Sequence, residues 1–210
     1  MTSSSGLSVW PGVTLWPGYL ERGAQAALLG EISVRVASAP FYRPRMPRSG
    51  KPFSVEETNF GTLGWFSDES GYRYEATHPV TQRPWPDIPE ALVQLWRAVG
   101  NYPEPPQCCL VNRYHKGARM GLHQDRDEEA LDAPVVSVSL GDSATFRIGG
   151  TTRREPTTNI TLQSGDVIVF GGPARLAYHG IDRVITGTSR LLSGEGRINL
   201  TLRRVTLPFK

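Results

Sequence analysis

The acidic stretch "GLHQDRDEE", residues 121–129, contains the side chains of this sequence that are best suited to chemistry. His123 and Asp125 are two positions apart, so in an extended segment their side chains point to the same side and could bind one metal ion. A third ligand is available in His179, which lies in the β-rich segment "LAYHGI" before a glycine turn. Two histidines and one carboxylate on one face of a metal leave three positions open, which is the arrangement of non-haem Fe(II) oxygenases.

Taken singly, each of these residues also has an ordinary structural explanation. A His-x-Asp triplet often occurs by chance, and a histidine in a strand often lies in the core with its ring bonded to the backbone. The acids could instead form a calcium loop, but the sixth position counted from Asp125 is Ala130, where the EF-hand turn needs glycine. The other two histidines, His78 in a loop and His115 at a strand end, are not assigned to the metal.

Two arginines on the last β-rich run could bind a second component of such a site. Arg197 and Arg203, in "RINLTLR", are six positions apart on one strand and therefore face the same way. Buried guanidinium groups need anionic partners, and a dicarboxylate beside the iron would supply them. Six residues span roughly 20 Å, which is too long for a five-carbon diacid. We therefore expect one arginine to hold the distal carboxylate and the other to lean toward the metal and pair with Asp125. The alternative is a pair of ordinary surface arginines.

Most of the regular structure expected around these residues is β. After Tyr102, turn residues separate short β-rich runs at fairly regular intervals, which is typical of antiparallel hairpins in a sandwich or jelly roll. The runs are CCLVNRYH, PVVSVSLG, ATFRIGG, NITLQSG, DVIVFGG, LAYHGI and RINLTLRRV. Apolar and polar residues alternate in VVSVSL and INLTLR, so we expect one face of each strand inside and the other outside.

Two helices are predicted ahead of the β-rich half. Residues 20–36 have apolar residues at roughly helical spacing, and residues 88–100 have Pro89 near the start of the pattern and Gly100 after its end. The segment between them, "APFYRPRMPRSGKPFS" at 39–54, is rich in proline and basic residues and is predicted to be a mobile loop.

Length and composition favour one soluble domain with insertions. The chain has 210 residues, of which 39% are hydrophobic, enough for a real core. The first twenty residues lack a basic region and are interrupted by two Pro-Gly pairs, so no secretory signal is expected. No segment approaches the ~18 apolar residues of a membrane span. The only cysteines, Cys108 and Cys109, are neighbours in a predicted strand and point to opposite faces, so we expect a reduced, cytoplasmic protein. The net charge of +3 permits a polyanionic partner.

Several motifs, taken in order, resemble those of the AlkB family of Fe(II)- and 2-oxoglutarate-dependent dioxygenases, which oxidatively dealkylate nucleic acid bases. The motifs are TNFGTLGW, QRPWPDIP, NRY at 112–114, HQDRD at 123–127, SVSLG at 137–141, GDVIVFGG at 165–172, YHGI at 178–181 and RINLTLR at 197–203. The likeness runs from about residue 58 to 204, about two thirds of the chain, and so many motifs in the same order are highly specific.

The resemblance implies an α+β, mainly β fold: a double-stranded β-helix, or jelly roll, with N-terminal helices and a nucleotide-recognition lid. We expect a single integrated domain with three parts. These are an N-terminal extension with a helix and basic loop (1–57), a lid and helix (58–103) and the β-helix catalytic core (104–210).

The resemblance also implies the cofactors, Fe(II), 2-oxoglutarate and O2. The positions that match the iron ligands are His123, Asp125 and His179. Arg197 looks like the residue that binds the far carboxylate of 2-oxoglutarate, supported by Asn112 and Tyr114. Arg203 looks like its partner near the other carboxylate.

The substrate residues are implied in the same way. Trp65 and Tyr72 match lid aromatics that contact a flipped nucleotide, and aromatic faces offset part of the unstacking cost. Asp127 matches a carboxylate that faces the damaged base, Arg153 matches a basic residue that contacts the nucleotide, and the base is expected near the ring of His179. Without the resemblance, core packing would explain the two aromatics and a solvated turn would explain Arg153.

The sequence departs from the family pattern ahead of Thr58. Glu57 stands where an apolar, substrate-contacting residue is expected, which leaves the preferred lesion open. The basic loop at 39–51 could bind phosphates or be a solvated loop. Glu128 and Glu129 are expected to be solvated charges in a turn.

The function implied is oxidative demethylation of N-alkylated bases in DNA or RNA, with release of an aldehyde, succinate and CO2. We expect a monomer that binds nucleic acid and no membrane. One alternative is a dioxygenase of the same fold that hydroxylates a tRNA modification or a protein side chain. The other is a nucleic acid binding module without catalysis.

Overall fold

The computed structural model describes residues 5–208, and antiparallel β-strands make up most of it. The elements, in chain order, are β1 (Leu7–Trp10), β2 (Val13–Trp16), α1 (Arg22–Val36), β3 (Glu56–Gly61), β4 (Gly64–Asp68), β5 (Gly71–Glu75), α2 (Glu90–Val99), β6 (Cys108–Tyr114), β7 (Met120–His123), β8 (Val135–Gly141), β9 (Ser143–Ile148), β10 (Thr158–Leu162), β11 (Val167–Phe170), a 3-10 helix (Gly172–Ala174), β12 (His179–Ile185) and β13 (Arg197–Arg203). Every β-rich run predicted after Tyr102 is a strand, and both predicted helices form.

Within the described residues, the strands form two facing sheets and a separate hairpin. The larger sheet has the order β1-β2-β11-β8-β13-β6-β3, and the smaller has the order β10-β9-β12-β7. Each strand pair in the two sheets is antiparallel. The hairpin β4-β5 stands apart and contacts β3 and β6. This is the double-stranded β-helix that was expected.

The two helices cover the outer face of the larger sheet. Leu28 and Ile32 of α1 and Leu92 and Trp96 of α2 belong to one buried cluster with the apolar residues of β8 and β13. Burial of a stripe of large side chains on each helix supplies the main stabilisation of this layer, since each such side chain contributes about 1.5–3 kcal/mol. The helices therefore act as a rigid backing for the strands that carry the site.

The alternation in β8 and β13 is present, but the expectation that one face lies outside is wrong. Every residue of both strands is buried. The apolar residues face the helices, whereas Ser137, Ser139, Asn199 and Thr201 face the space between the two sheets. The polar face is the inner one because these strands lie in the middle of a sheet covered on both sides.

The first strands were not predicted from the sequence. The Pro-Gly pairs that argue against a signal segment form turns here, and Gly12 adopts a φ of 78°. A side chain at Gly12 would also meet the carbonyl oxygen of Gly171 at 2.6 Å, so this turn requires glycine. Because β2 pairs with β11, the N-terminal segment is built into the larger sheet. The expected boundary between residues 57 and 58 falls inside β3, and residues 1–4 lie outside the described part of the chain.

The loop at 39–54 has no helix or named strand, yet it is tied to the sheet. The backbone N–H groups of Tyr42 and Glu57 each donate to the other's carbonyl oxygen, at 2.9 and 2.8 Å. Arg45 N–H donates to the carbonyl oxygen of Ser67 in β4. The loop is thus anchored between β3 and the hairpin, which differs from the mobile segment predicted from its proline content.

No helix in residues 5–208 is long and apolar enough to cross a membrane. Cys108 and Cys109 are both buried and free, as expected for neighbours on opposite faces of β6.

Candidate active site

A cavity of about 640 Å³ opens between the two sheets beneath the β4-β5 hairpin. Its wall is polar on the side of the larger sheet, where the inner faces of β6, β8 and β13 contribute, and it includes all of the site residues predicted from the sequence. These are Asn112, Tyr114, His123, Asp125, His179, Arg197, Arg203, Trp65, Tyr72, Asp127 and Arg153. The fold therefore brings together residues that are up to 138 positions apart, since Trp65 and Arg203 line the same space.

His123, Asp125 and His179 form a compact group of possible metal ligands, with one ligand atom of each within 4.8 Å of the others. His123 ends β7 and lies directly opposite His179, the first residue of β12. Nε2 of His123 is 3.6 Å from Oδ1 of Asp125, and Nε2 of His179 is 3.9 Å from Oδ2 of the same carboxylate. This geometry suits a divalent ion that prefers mixed nitrogen and oxygen ligands.

Both imidazole rings are oriented by the backbone. Nδ1 of His123 donates to the carbonyl oxygen of Gly121, and Nδ1 of His179 donates to that of Ala177, each at 2.9 Å. Because a carbonyl can only accept, Nδ1 of each ring carries a proton, and Nε2 is the ring atom that faces the carboxylate. Burial lowers the pKa of His179 to about 4, and the neighbouring His123 contributes to the decrease. This imidazole is therefore neutral at pH 7 and free to bind a metal.

Asp125 is ionised and held by Arg203. Burial alone would raise the pKa of this carboxyl, but Arg203, His179 and His123 outweigh it and keep the pKa below its usual range. Nε and one terminal nitrogen of Arg203 lie 3.0 and 2.8 Å from Oδ2 of Asp125. The structure therefore places Arg203 against the carboxylate, as the spacing argument predicted for one of the two arginines.

Arg197 is fully buried and lacks an acidic partner within the described residues. One terminal nitrogen donates to Oγ of Ser139 at 2.7 Å, another approaches the carbonyl oxygen of Asp142 at 3.4 Å, and its Nε makes no hydrogen bond. Burial lowers its pKa to about 10, which still leaves the side chain charged at pH 7. A buried cation without a counter-ion is strongly unfavourable, so this position is suited to an anionic ligand.

Two residues of β6 lie beside this cation. Tyr114 is directly opposite Arg197 in the strand register, and burial raises the pKa of its hydroxyl well above the usual value, so it is a neutral donor. Asn112 lies two positions away on the same inner face, and its buried Oδ1 has no hydrogen-bond partner within residues 5–208. Both side chains can thus complete the hydrogen bonds of a ligand that enters next to Arg197.

A buried network behind the metal ligands was not predicted from the sequence. Glu128 was expected to be a solvated charge, but it is buried and ion-paired, with Oε2 3.0 Å from Arg175 and Oε1 3.5 Å from Arg203. Arg175 also donates to the carbonyl oxygens of Asp125 and Ala133, at 2.5 and 2.9 Å. Tyr74 of the hairpin donates to Glu128 as well. No sequence signal separates Glu128 from the exposed Glu129, because an irregular turn decides which of the two acids points inward.

The hairpin and the segment after β7 meet over the cavity mouth. The rings of Trp65 and Tyr72 stack at 5.5 Å with a 21° interplanar angle, and Nε1 of Trp65 donates to Oδ2 of Asp127 at 3.0 Å. Arg153 is exposed, lies 5.8 Å from the ring of Tyr178 and donates to a backbone carbonyl of the β7 segment. The predicted substrate residues therefore share one rim.

The expectation that a base would lie near the ring of His179 needs correction. This ring is enclosed by Phe170 and Phe146, at 4.7 and 5.9 Å, and by His123 at 4.5 Å. The side chain of His123 is 40% exposed and that of His179 only 7%. Because apolar rings cover His179, His123 presents the accessible imidazole face.

The remaining two histidines bond to other groups of the protein. Nε2 of the buried His78 donates to the carbonyl oxygen of Pro40, and its Nδ1 accepts from two backbone N–H groups of the following turn. His115 pairs with Glu56 at 2.8 Å on the outer side of β3.

Comparison with known proteins gives consistent results. The family model described as the 2OG-Fe(II) oxygenase superfamily matches residues 12–203. A curated Caulobacter vibrioides protein named alpha-ketoglutarate-dependent dioxygenase AlkB homolog is 55% identical over 198 residues, which are 94% of this chain and 90% of that protein. The Escherichia coli K12 protein named alpha-ketoglutarate-dependent dioxygenase AlkB is 42% identical over 185 residues, 86% of this chain and 85% of that protein. The solved structure titled "The structure of OsALKBH1" superposes with a TM-score of 0.80 at 30% identity and covers 95% of this chain and 100% of that one.

Proposed function

Because this chain belongs to the AlkB family of the 2OG-Fe(II) oxygenase superfamily, we propose that it oxidatively demethylates N-alkylated bases in DNA or RNA. Relatives whose names state a substrate include Arabidopsis thaliana proteins named DNA N(6)-methyladenine demethylases and a mouse protein named nucleic acid dioxygenase. Family membership makes the protein a 2-oxoglutarate-dependent dioxygenase that uses Fe(II) and O2.

One observation supports the proposal above all others. A set of three metal ligands and a buried arginine without an acidic partner line the same cavity. The ligand set suits Fe(II), and the buried guanidinium of Arg197, whose Nε has no hydrogen-bond partner within residues 5–208, suits a ligand that ends in a carboxylate. The residues present therefore fit both iron and 2-oxoglutarate.

We assign the iron to His123, Asp125 and His179, and the far carboxylate of 2-oxoglutarate to Arg197. Asn112 and Tyr114 support the same cosubstrate, and Arg203 keeps Asp125 ionised and correctly placed while it lies near the metal-proximal end of 2-oxoglutarate. With O2, the bound iron and cosubstrate supply an oxidation that converts 2-oxoglutarate to succinate and CO2 and hydroxylates the N-alkyl carbon, after which an aldehyde leaves.

The residues of the rim bind the nucleotide. A base has to leave its stack to reach a buried metal, and stacking on aromatic side chains offsets that cost by about 1–3 kcal/mol per base. Trp65 and Tyr72 provide the aromatic surface, and Asp127 is held by Trp65 at the same edge. When a base fills the cavity mouth, these side chains also keep water from the buried ligands.

Exposed basic residues surround the entrance. Arg119, Arg126 and Arg153 line the cavity mouth and are exposed, and the basic loop at 39–54 is anchored beside the hairpin. We assign these residues to phosphate contacts, which makes nucleic acid affinity decrease as salt increases. We further propose that the protein acts as a monomer in the cytoplasm, which gel filtration and fractionation test.

The function is tested by incubation with Fe(II), 2-oxoglutarate and a methylated oligonucleotide of DNA or RNA. The expected products are formaldehyde, the unmodified base and one succinate per turnover, and Asp125→Ala is the control without activity. Succinate without demethylation would favour a different substrate, such as a tRNA modification or a protein side chain. Oligonucleotide binding without any turnover would favour a binding module, and either result would refute the proposal.

A further inference from the structure

Glu57 is a buried acid in the wall of the cavity that no step described so far uses. It lies in β3, is 0% exposed and belongs to the cavity lining. Neither of its carboxyl oxygens has a hydrogen-bond partner within residues 5–208. Buried polar groups are nearly always paired, so an unpaired carboxyl directed at a cavity indicates a partner that enters with the ligand.

The strand register fixes the position of this carboxyl. Glu57 is directly opposite Asn112 of β6, which is directly opposite Asn199 of β13, so the three side chains share the inner face of the larger sheet. On its other side, the backbone of Glu57 is hydrogen-bonded to that of Tyr42. Because the strand is held on both sides, the side chain cannot turn outward. β3 is also the edge strand that contacts β4 of the hairpin, which places Glu57 on the lid side of the cavity.

The groups around Glu57 do not supply a hydrogen bond. Arg203, Tyr114 and Tyr42 are near enough to interact with it electrostatically, but the recorded bonds of Arg203 go to Asp125 and Glu128. Burial raises the pKa of Glu57 to about 8, against the opposing charge of Arg203. The carboxyl is therefore neutral at pH 7, and it ionises readily if a positive charge enters beside it.

The two expected occupants differ in what they offer this group. 2-Oxoglutarate carries two carboxylates and no N–H donor, so it would repel an ionised Glu57. Adenine and cytosine carry an exocyclic amino group, and alkylation at N1 or N3 makes these bases cationic. Guanine alkylated at N1 and thymine alkylated at N3 are neutral; guanine keeps its N2 amino group, so charge is what separates the two groups of bases.

We propose that Glu57 is a specificity-determining residue of the base pocket that favours cationic alkylated bases over neutral ones. The carboxylate accepts a hydrogen bond from the exocyclic amino group and offsets the charge of the base. This inference rests on the proposed demethylase function and adds the class of base that the pocket selects.

The test compares four oligonucleotides of one sequence, each with a single lesion: 1-methyladenine, 3-methylcytosine, 1-methylguanine or 3-methylthymine. The quantity measured is the ratio of kcat/KM for the cationic lesions to that for the neutral ones. Glu57→Gln retains the shape and removes the charge, and Glu57→Leu removes both polar atoms. Each variant should lower the ratio by about tenfold or more, the size expected for loss of a charge-assisted hydrogen bond. The matched control is Glu56→Gln, whose side chain lies on the outer face with Arg113 and His115 and should leave the ratio unchanged.

The ratio of the two kcat/KM values does not depend on the fraction of folded protein, because both kinds of oligonucleotide are assayed with the same protein preparation. An unchanged ratio in both Glu57 variants would overturn the inference. If the KM for 2-oxoglutarate also increased, Glu57 would lie against the cosubstrate instead of the base. If the wild-type protein demethylates none of the four oligonucleotides, the proposed function fails instead, and the two failures are thus distinguishable.

Discussion

The buried carboxyl of Glu57 should make the stability of the metal-free protein depend on pH, and Glu57→Gln should remove that dependence. In the folded protein, burial raises the pKa of Glu57 from 4.5 to about 8. Between these two values the unfolded chain has lost the proton and the folded chain still holds it. The unfolded state then binds fewer protons, so the free energy of unfolding decreases as the pH increases.

The magnitude follows from the two pKa values. One proton changes the free energy of unfolding by about 1.4 kcal/mol per pH unit, so the interval from pH 4.5 to about 8 corresponds to about 5 kcal/mol. Below this interval the contribution of Glu57 is fully present, and above it the contribution is lost. From about pH 5.5 to 7.5 the wild type should lose about 3 kcal/mol relative to Glu57→Gln. The buried amide of the variant has its own desolvation cost, but that cost is the same at every pH.

The assay is urea denaturation of both proteins across this range in the presence of a chelator. The difference between their free energies of unfolding cancels the contribution of every other titrating group. Glu56→Gln is the control, because Arg113 and His115 hold the pKa of Glu56 below its usual value against a raising effect of burial, and this acid is ionised in both states throughout the range. If the curves of wild type and Glu57→Gln run parallel, Glu57 is not a neutral acid in the folded protein and the reasoning fails.

Three further variants test the site and its support. Asp125→Ala should abolish iron binding, measured as metal content after reconstitution, because two imidazoles alone lack the carboxylate that suits Fe(II); a variant that retains iron would show that the ligand set is wrong. Arg197→Ala should raise the KM for 2-oxoglutarate about a hundredfold or more, because the far carboxylate loses its buried partner; an unchanged KM would remove the role assigned to Arg197. Glu128→Gln should lower the free energy of unfolding by about 3–5 kcal/mol, because it breaks a buried ion pair with Arg175; a loss below about 1 kcal/mol in urea denaturation would contradict the importance of that pair.

The network of Glu128 links the β4-β5 hairpin to the proposed metal ligands. Tyr74 of the hairpin donates to Glu128, and the same carboxylate pairs with Arg175 and Arg203, which in turn hold the backbone and side chain of Asp125. Every side chain in this network lies in a buried setting and carries a charged or hydroxyl group. Each therefore depends on the others for its hydrogen-bond partners. The position of Asp125 is therefore coupled to the seating of the hairpin over the cavity.

The inner face of the larger sheet explains where the sequence analysis erred. Alternation in β8 and β13 correctly separates two sets of side chains, but periodicity does not say which set is exposed. α1 and α2 cover the apolar set, and the facing sheet encloses the polar set. Polar side chains in a buried interior need partners, and here the ligands of the cavity provide them.

The sequence by itself determined the local features of this protein: the strands of the β-rich half, both helices, and the chemical types and spacings of His123, Asp125, Arg197 and Arg203. Local patterns suffice for these because strand alternation and helix periodicity are properties of neighbouring residues. Only the tertiary structure decided that Glu128 is buried while Glu129 is exposed, that His123 rather than His179 presents its ring, and that Glu57 faces the cavity without a partner. These outcomes depend on contacts between distant segments, since burial and pairing are set by whatever the fold places on the other side of a side chain.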